Sequence, residues 1–171
     1  LDCSQVWFGS SSQSARLINS KIEDYVTHVQ AQVAQNKVTF SLQTLGQHFV
    51  TNALGALASV AALGGDLQRA AADLFLWQPG EGRGARKTIQ TASETFEIID
   101  DAYNANPASM AAALEVLAMS KAKRRIAILG DMRELGPNAP TFHTDLSKLQ
   151  ALENIDLVHT VGPHMEGLHL K

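Results

Sequence analysis

The sequence has little that would tie it to an oxidising compartment, a membrane or a nucleic acid. It holds a single cysteine, Cys3, so no disulfide can close within the chain, which fits a reducing compartment. No apolar run reaches the ~18 residues needed to cross a bilayer. No basic segment followed by an apolar stretch opens the chain, as a secretory leader would. Acidic residues outnumber basic ones, 17 to 14, for a formal net charge of −3, so the electrostatic footprint of a phosphate-backbone binder is missing. Internal repeats and low-complexity tracts are absent too. The first residue is leucine rather than methionine, and the expectation is a piece of something longer. What is present is the composition of a folded globular protein, 45% hydrophobic and 18% charged. Its 171 residues suit one large domain or two small ones.

Two grammars divide the chain. In "YVTHVQAQV", Tyr25, Thr27, Val29, Ala31 and Val33 share one face while His28, Gln30 and Gln32 take the other. After the turn "AQNK", Val38, Phe40 and Leu42 alternate in the same way, so the pair predicts an antiparallel hairpin. From about Gln47 the period lengthens: Val50, Leu54, Leu57 and Ala61 make one helical stripe that Gly64 and Gly65 stop. Asp66 then caps a helix over "LQRAAADLFLW", with Leu67, Ala70 and Leu74 inward and Pro79 at its end.

The stretch "PGEGRGARK" breaks the composition and reads as a linker, over residues 81–92, between units at 1–80 and 93–171. Beyond it the order is β-α-β-α-β. "FEIID" is a short apolar strand. Asn106 as N-cap and Pro107 at the first helical position open a helix whose stripe is Met110, Leu114 and Leu117. "RRIAILGD" has four apolar residues in a row, the pattern of a strand covered on both faces. "HTDLSKLQAL" is a shorter helix and "IDLVHTVG" a third strand. Such alternation predicts a parallel α/β sheet with helices on its faces.

In that sheet every strand would end on one rim, where open α/β sheets hold ligands. Asp100, Asp101 and Tyr103 follow the first strand, Gly130 and Asp131 the second, Gly162 and His164 the third. Two carboxylates there can accept from ribose hydroxyls or hold a cation; equally, they can cap the turn and the helix after it. His164 and His169, near the end of the chain with no third ligand, read as solvated histidines. Cys3 has no base beside it and reads as an incidental thiol.

"DDAYNANPASMAAAL" followed by "RRIAILGDMRELG" resembles the C-terminal domain of the Mur ligases, in the branch that adds D-alanyl-D-alanine to UDP-N-acetylmuramoyl-tripeptide in peptidoglycan synthesis. "GQHFVTNALGALA" is similar to a segment late in that family's central ATP-binding domain, and "GRG" around Arg83 sits where the family has its Gly-Arg. The resemblance runs over roughly residues 46 to 136. It implies a Rossmann-like C-terminal sheet after a hairpin and two helices of the central domain. It also implies a bacterial cytoplasmic enzyme that uses ATP and Mg²⁺ to make an acyl phosphate, which the incoming amine attacks. By the same resemblance Asn52 contacts the adenine, Arg83 lies near the ribose and phosphates, and Asp101 binds the ribose hydroxyls. Tyr103 falls where some relatives carry a lysine near the terminal phosphate, and Asn104 belongs to the same nucleotide-binding motif. Asn106, Asp131 and Glu134 are implied on the substrate side, Asn106 being equally well only a helix cap. His48 is a motif residue whose alternative is a local hydrogen bond.

The departures are as informative. No Gly-x-x-x-x-Gly-Lys-Ser/Thr segment is present, and the family's metal ligands lie in the part that does not match. The expectation is half of an ATP site, inactive alone. The alternatives are another branch of the superfamily, such as a folylpolyglutamate synthase or a different Mur ligase, and a non-catalytic binding module of the same fold.

Overall fold

A computed structural model describes residues 5–12 and 14–170; Cys3 lies outside them. The chain divides into two compact units, Leu1–Gln78 and Pro79–Lys171.

The first unit is a four-stranded sheet backed by two helices. Strands β1 (Phe8–Gly9), β2 (Ala15–Glu23), β3 (Val26–Val33) and β4 (Asn36–Leu42) lie in that order, β1 parallel to β2 and the rest antiparallel. The expected hairpin is β3–β4, with Val33 opposite Asn36 across a two-residue loop. Val29, Ala31, Val33, Val38, Phe40 and Leu42 form its buried face, as their alternation requires. Two strands extend this hairpin. Tyr25, expected in a strand, instead sits in the β2–β3 turn, where Asp24 and Tyr25 take φ of 45° and 67°. Left-handed residues at both turn positions match the twist of the flanking strands.

Helix α1 (Gln47–Ala62) lays Val50, Ala53, Leu54, Leu57 and Ala58 on that face. Gly46, at φ 110°, turns the chain into it where a side chain would be strained. Helix α2 (Leu67–Asp73) starts under the Asp66 carboxylate, which accepts from the Arg69 amide at 3.0 Å. It ends sooner than expected: Leu74–Leu76 tighten into a 3-10 turn before Pro79 is reached.

The second unit departs from the three-stranded parallel sheet. Strand β5 (Ala85–Gln90), which lies inside the expected linker, pairs antiparallel with β6 (Thr95–Asp100), the "FEIID" strand. β6 is therefore half of a two-stranded ribbon, and Phe96 and Ile98 stay exposed rather than buried. Strands β7 (Ile126–Gly130) and β8 (Leu157–Val161) form the parallel pair. The expectation that β7 is covered on both faces does not hold: Ala127 and Leu129 are buried, while Ile128 on the opposite face is 73% exposed. Four apolar residues in a row state that a strand can be covered twice, not that it is.

Helix α3 (Pro107–Met119) packs Met110 and Leu114 onto the inner face of β7. The second helix, α4 (Ala139–Asp145), starts four residues before His143 and gives way to 3-10 turns at Leu146–Lys148 and Gln150–Asn154. A short helix α5 (Glu166–His169) follows β8. No helix among the described residues is long and apolar enough to cross a membrane.

Candidate functional site

The polar residues of the second unit gather in two places. The first is where the loop before β5 meets the turn after β6. Ladder pairing sets Ala85 opposite Asp100. Two further hydrogen bonds extend the contact past the strands: the Gly84 amide donates to the Asp100 carbonyl at 2.8 Å, and the Tyr103 amide to the Gly82 carbonyl at 3.0 Å. Gly82 (φ 68°) and Gly84 (φ 91°) both take left-handed conformations. A Cβ on Gly82 would stand 3.0 Å from the Tyr103 Cβ and 3.1 Å from its backbone nitrogen. The glycines flanking Arg83 thus let one backbone lie against the other, and Arg83 follows onto Tyr103. Its guanidinium carbon sits 4.1 Å from the ring centroid, within cation–π range.

The two aspartates part company here. Asp100 ends β6 half-buried, and its carboxylate accepts from the Ala102 amide at 3.2 Å, which is the turn-capping role. Asp101, the first residue past the end of β6, is exposed. Asn104 is exposed and its side-chain oxygen accepts from the Ala105 amide at 2.9 Å. Asn106 is an N-cap: its side chain accepts from the Ser109 amide at 2.9 Å while the Ser109 hydroxyl accepts from the Asn106 amide at 2.9 Å. On the same ribbon Lys87 pairs with Glu81 at 2.9 Å. The hydrogen bond and charge of Glu81, with a smaller contribution from Asp100, hold the Lys87 ammonium above its ordinary pKa. This corner therefore carries a guanidinium stacked on an aromatic ring, an exposed carboxylate and an amide, groups that suit a phosphorylated ribose and a base.

The second place is the end of β7. β6 does not pair with β7, so the rim is built from two strands rather than three. Asp131 turns its carboxylate to the far strand and accepts from the His164 amide and the Met165 amide, each at 3.1 Å from Oδ1. Its own amide donates to the Val161 carbonyl at 3.1 Å. Asp131 is engaged in joining the two strand ends. Glu134 is exposed, with φ 61°.

In the first unit His48 and Asn52 stand one turn apart on α1, which places both on one face. Asn52 is exposed; the His48 ring lies 3.9 Å from the Phe49 ring by centroid. Among the described residues no three His, Cys, Asp or Glu side chains group as a metal centre would require.

His143 escaped the sequence reading, which treated it as the polar opening residue of a helix. The signal was the helix start: from Ala139, position 143 falls on the face that also buries Ala139 and Leu146.

Comparison with known proteins identifies the family. The family profile described as "Mur ligase, glutamate ligase domain" matches residues 85–170. A UDP-N-acetylmuramoyl-tripeptide–D-alanyl-D-alanine ligase of Rickettsia prowazekii is 35% identical over 163 residues, covering 95% of this chain and 35% of that protein. The crystal structure of MurF from Acinetobacter baumannii superposes with a TM-score of 0.73 at 29% identity, over 95% of this chain and 38% of that one. MurF from Thermotoga maritima, solved in complex with ADP, shares the fold with a TM-score of 0.77 at 22% identity, over 95% and 37%. The chain spans about a third of the length of the curated relatives it matches. It belongs to the Mur ligase family.

Proposed function

We propose that this chain is the late central-domain part (residues 1–78) and the C-terminal-domain part (residues 79–171) of an ATP-dependent ligase. That ligase adds D-alanyl-D-alanine to UDP-N-acetylmuramoyl-tripeptide in the bacterial cytoplasm. The observation that carries the reading is the docking of Gly82–Gly84 on the turn after β6, which sets Arg83 over Tyr103. The names of the relatives support the substrate pair.

ATP supplies the phosphoryl group that activates the tripeptide carboxylate as an acyl phosphate. The chain's own contribution is positioning and charge complementarity, which dominate such transfers. In this reading Asn52 pairs with the adenine edge, Asp101 accepts from the ribose hydroxyls, and Arg83, steadied by Tyr103, faces phosphate oxygens. Asn104 shapes the same turn. Asn106 and Asp131 hold the backbone on the substrate side, and Glu134 faces the acceptor. His48 supports the helix that carries Asn52. Mg²⁺ is assigned no ligand in this chain.

The test is phosphate release by a full-length ligase carrying this segment, given ATP, UDP-N-acetylmuramoyl-tripeptide and D-alanyl-D-alanine. Release should require both substrates. Release driven by glutamate, or by a single amino acid in place of the dipeptide, would move the chain to another branch of the family.

A further inference from the structure

His143 is wholly buried, at 0% exposure, and the roles assigned above leave it out. It sits on α4 with both ring nitrogens occupied. The Met132 amide donates to Nε2 at 2.8 Å, and Nδ1 lies 2.6 Å from the Ala139 carbonyl. An amide N–H can only donate and a carbonyl can only accept, so the ring is neutral with its hydrogen on Nδ1. This bond crosses from α4 to the loop at residues 131–136, which leaves the C-terminal end of β7, where open sheets place their ligands.

The loop's root is held from two sides. His143 takes the Met132 amide, and the Asp131 carboxylate takes the amides of His164 and Met165. The Met132 side chain is buried at 2% exposure. The next residues, Arg133 and Glu134, are exposed. Glu134 holds φ 61°, a region that glycine or asparagine enters far more readily than glutamate. Such a conformation persists where its surroundings over-determine it. A glutamate kept there beside a doubly anchored root points to a need for the carboxylate itself.

We propose that His143 is a positioning residue: through the Met132 amide it fixes the loop at residues 131–136 so that Glu134 is presented to the acceptor substrate. The functional half of this rests on the ligase reading above; the tether does not. The two amide side chains separate the bonds of His143. Glutamine places its oxygen near Nε2 and keeps an acceptor for Met132. Asparagine places its amide nitrogen near Nδ1, keeps a donor for Ala139 and leaves the buried Met132 amide without an acceptor.

Two measurements test it. On this 171-residue chain, long-range ¹H–¹⁵N correlation reads the ring tautomer, and hydrogen exchange reads the Met132 amide in wild type, His143→Gln and His143→Asn. The expected result is a neutral ring with hydrogen on Nδ1. Met132 exchange should be at least about tenfold faster in His143→Asn, with His143→Gln nearer wild type. In the full-length ligase, His143→Asn should raise KM for D-alanyl-D-alanine by about tenfold with KM for ATP unchanged, and His143→Gln should recover most of the loss. A merely structural role would move both KM values together.

Hydrogen on Nε2, or unchanged Met132 exchange in His143→Asn, overturns the tether. A confirmed tether with unchanged acceptor KM overturns the positioning role. Should His143→Asn not fold, His143→Gln decides: a near-wild-type acceptor KM supports the proposal and a tenfold rise overturns it. A wild-type enzyme that does not use D-alanyl-D-alanine overturns the ligase reading and the role of Glu134 with it, while the NMR measurements still decide the tether.

Discussion

Asp131 and Gly162 interlock across the ends of the parallel strands. An ideal Cβ on Gly162 would fall 2.4–2.6 Å from the Asp131 carboxylate atoms. The position is also strained for any other residue, with φ 115°. That carboxylate is the acceptor for the His164 and Met165 amides, so a methyl group at residue 162 displaces the clasp as well as straining the backbone. Gly162→Ala should lower the unfolding free energy by roughly 1–3 kcal/mol, read as a shifted urea midpoint at constant slope. An unchanged midpoint would mean that the clasp does not hold in solution.

Asn106 is predicted to matter to folding before it matters to chemistry. Its reciprocal exchange with Ser109 satisfies two orphan donors of α3. Asn106→Ala should cost about 0.5–2 kcal/mol, and Asn106→Asp or Asn106→Ser much less. If thermal unfolding shows alanine and serine to be equivalent, the cap is not the role of this side chain.

Arg83 and Tyr103 should act on nucleotide affinity as a pair. An exposed cation–π contact is worth about 0.5–1 kcal/mol, so in the full-length ligase Tyr103→Leu should weaken ATP binding about two- to fivefold. Arg83→Lys should do at least as much, since lysine loses the planar fork. The combined variant should fall short of the product of the two single losses, because Tyr103 acts through Arg83. Isothermal titration of the three variants reads this directly, and strictly multiplicative losses would show that the two residues work apart.

Much of this was legible in the sequence where one face of an element faces a core and the other does not. The β3–β4 hairpin and the stripe of α1 were readable because Val29, Ala31 and Val33, or Val50, Leu54 and Leu57, repeat at the period of their element. β2 was not: in "ARLINSKIE" only Ala15 is buried, and a bulge at Ile18 breaks the alternation. β5 hid inside the expected linker because its partner, β6, is matched by backbone pairing and not by apolar pattern. The site divides the same way. Asn106 declared its capping role through Pro107 at the first helical position. The stacking of Arg83 on Tyr103 could not be read, since it depends on a pairing between segments about twenty residues apart, and His143 was invisible until α4 was seen to begin at Ala139.

The central claim is that the corner built from Gly82–Gly84 and the turn after β6 receives the nucleotide, with Asp101 rather than Asp100 doing so. Asp100 caps its turn by accepting from the Ala102 amide, and Asp101, just past the end of β6, is the more exposed of the two. The decisive measurement is nucleotide titration of Asp101→Asn and Asp100→Asn in the full-length ligase, with folding checked by thermal unfolding. A pair of hydrogen bonds to a charged acceptor is worth about 1.5–3 kcal/mol, so Asp101→Asn should weaken ATP binding about ten- to a hundredfold, while Asp100→Asn should change mainly the stability of the turn. Equal losses of ATP affinity in two folded variants, or no loss in Asp101→Asn, would contradict the account.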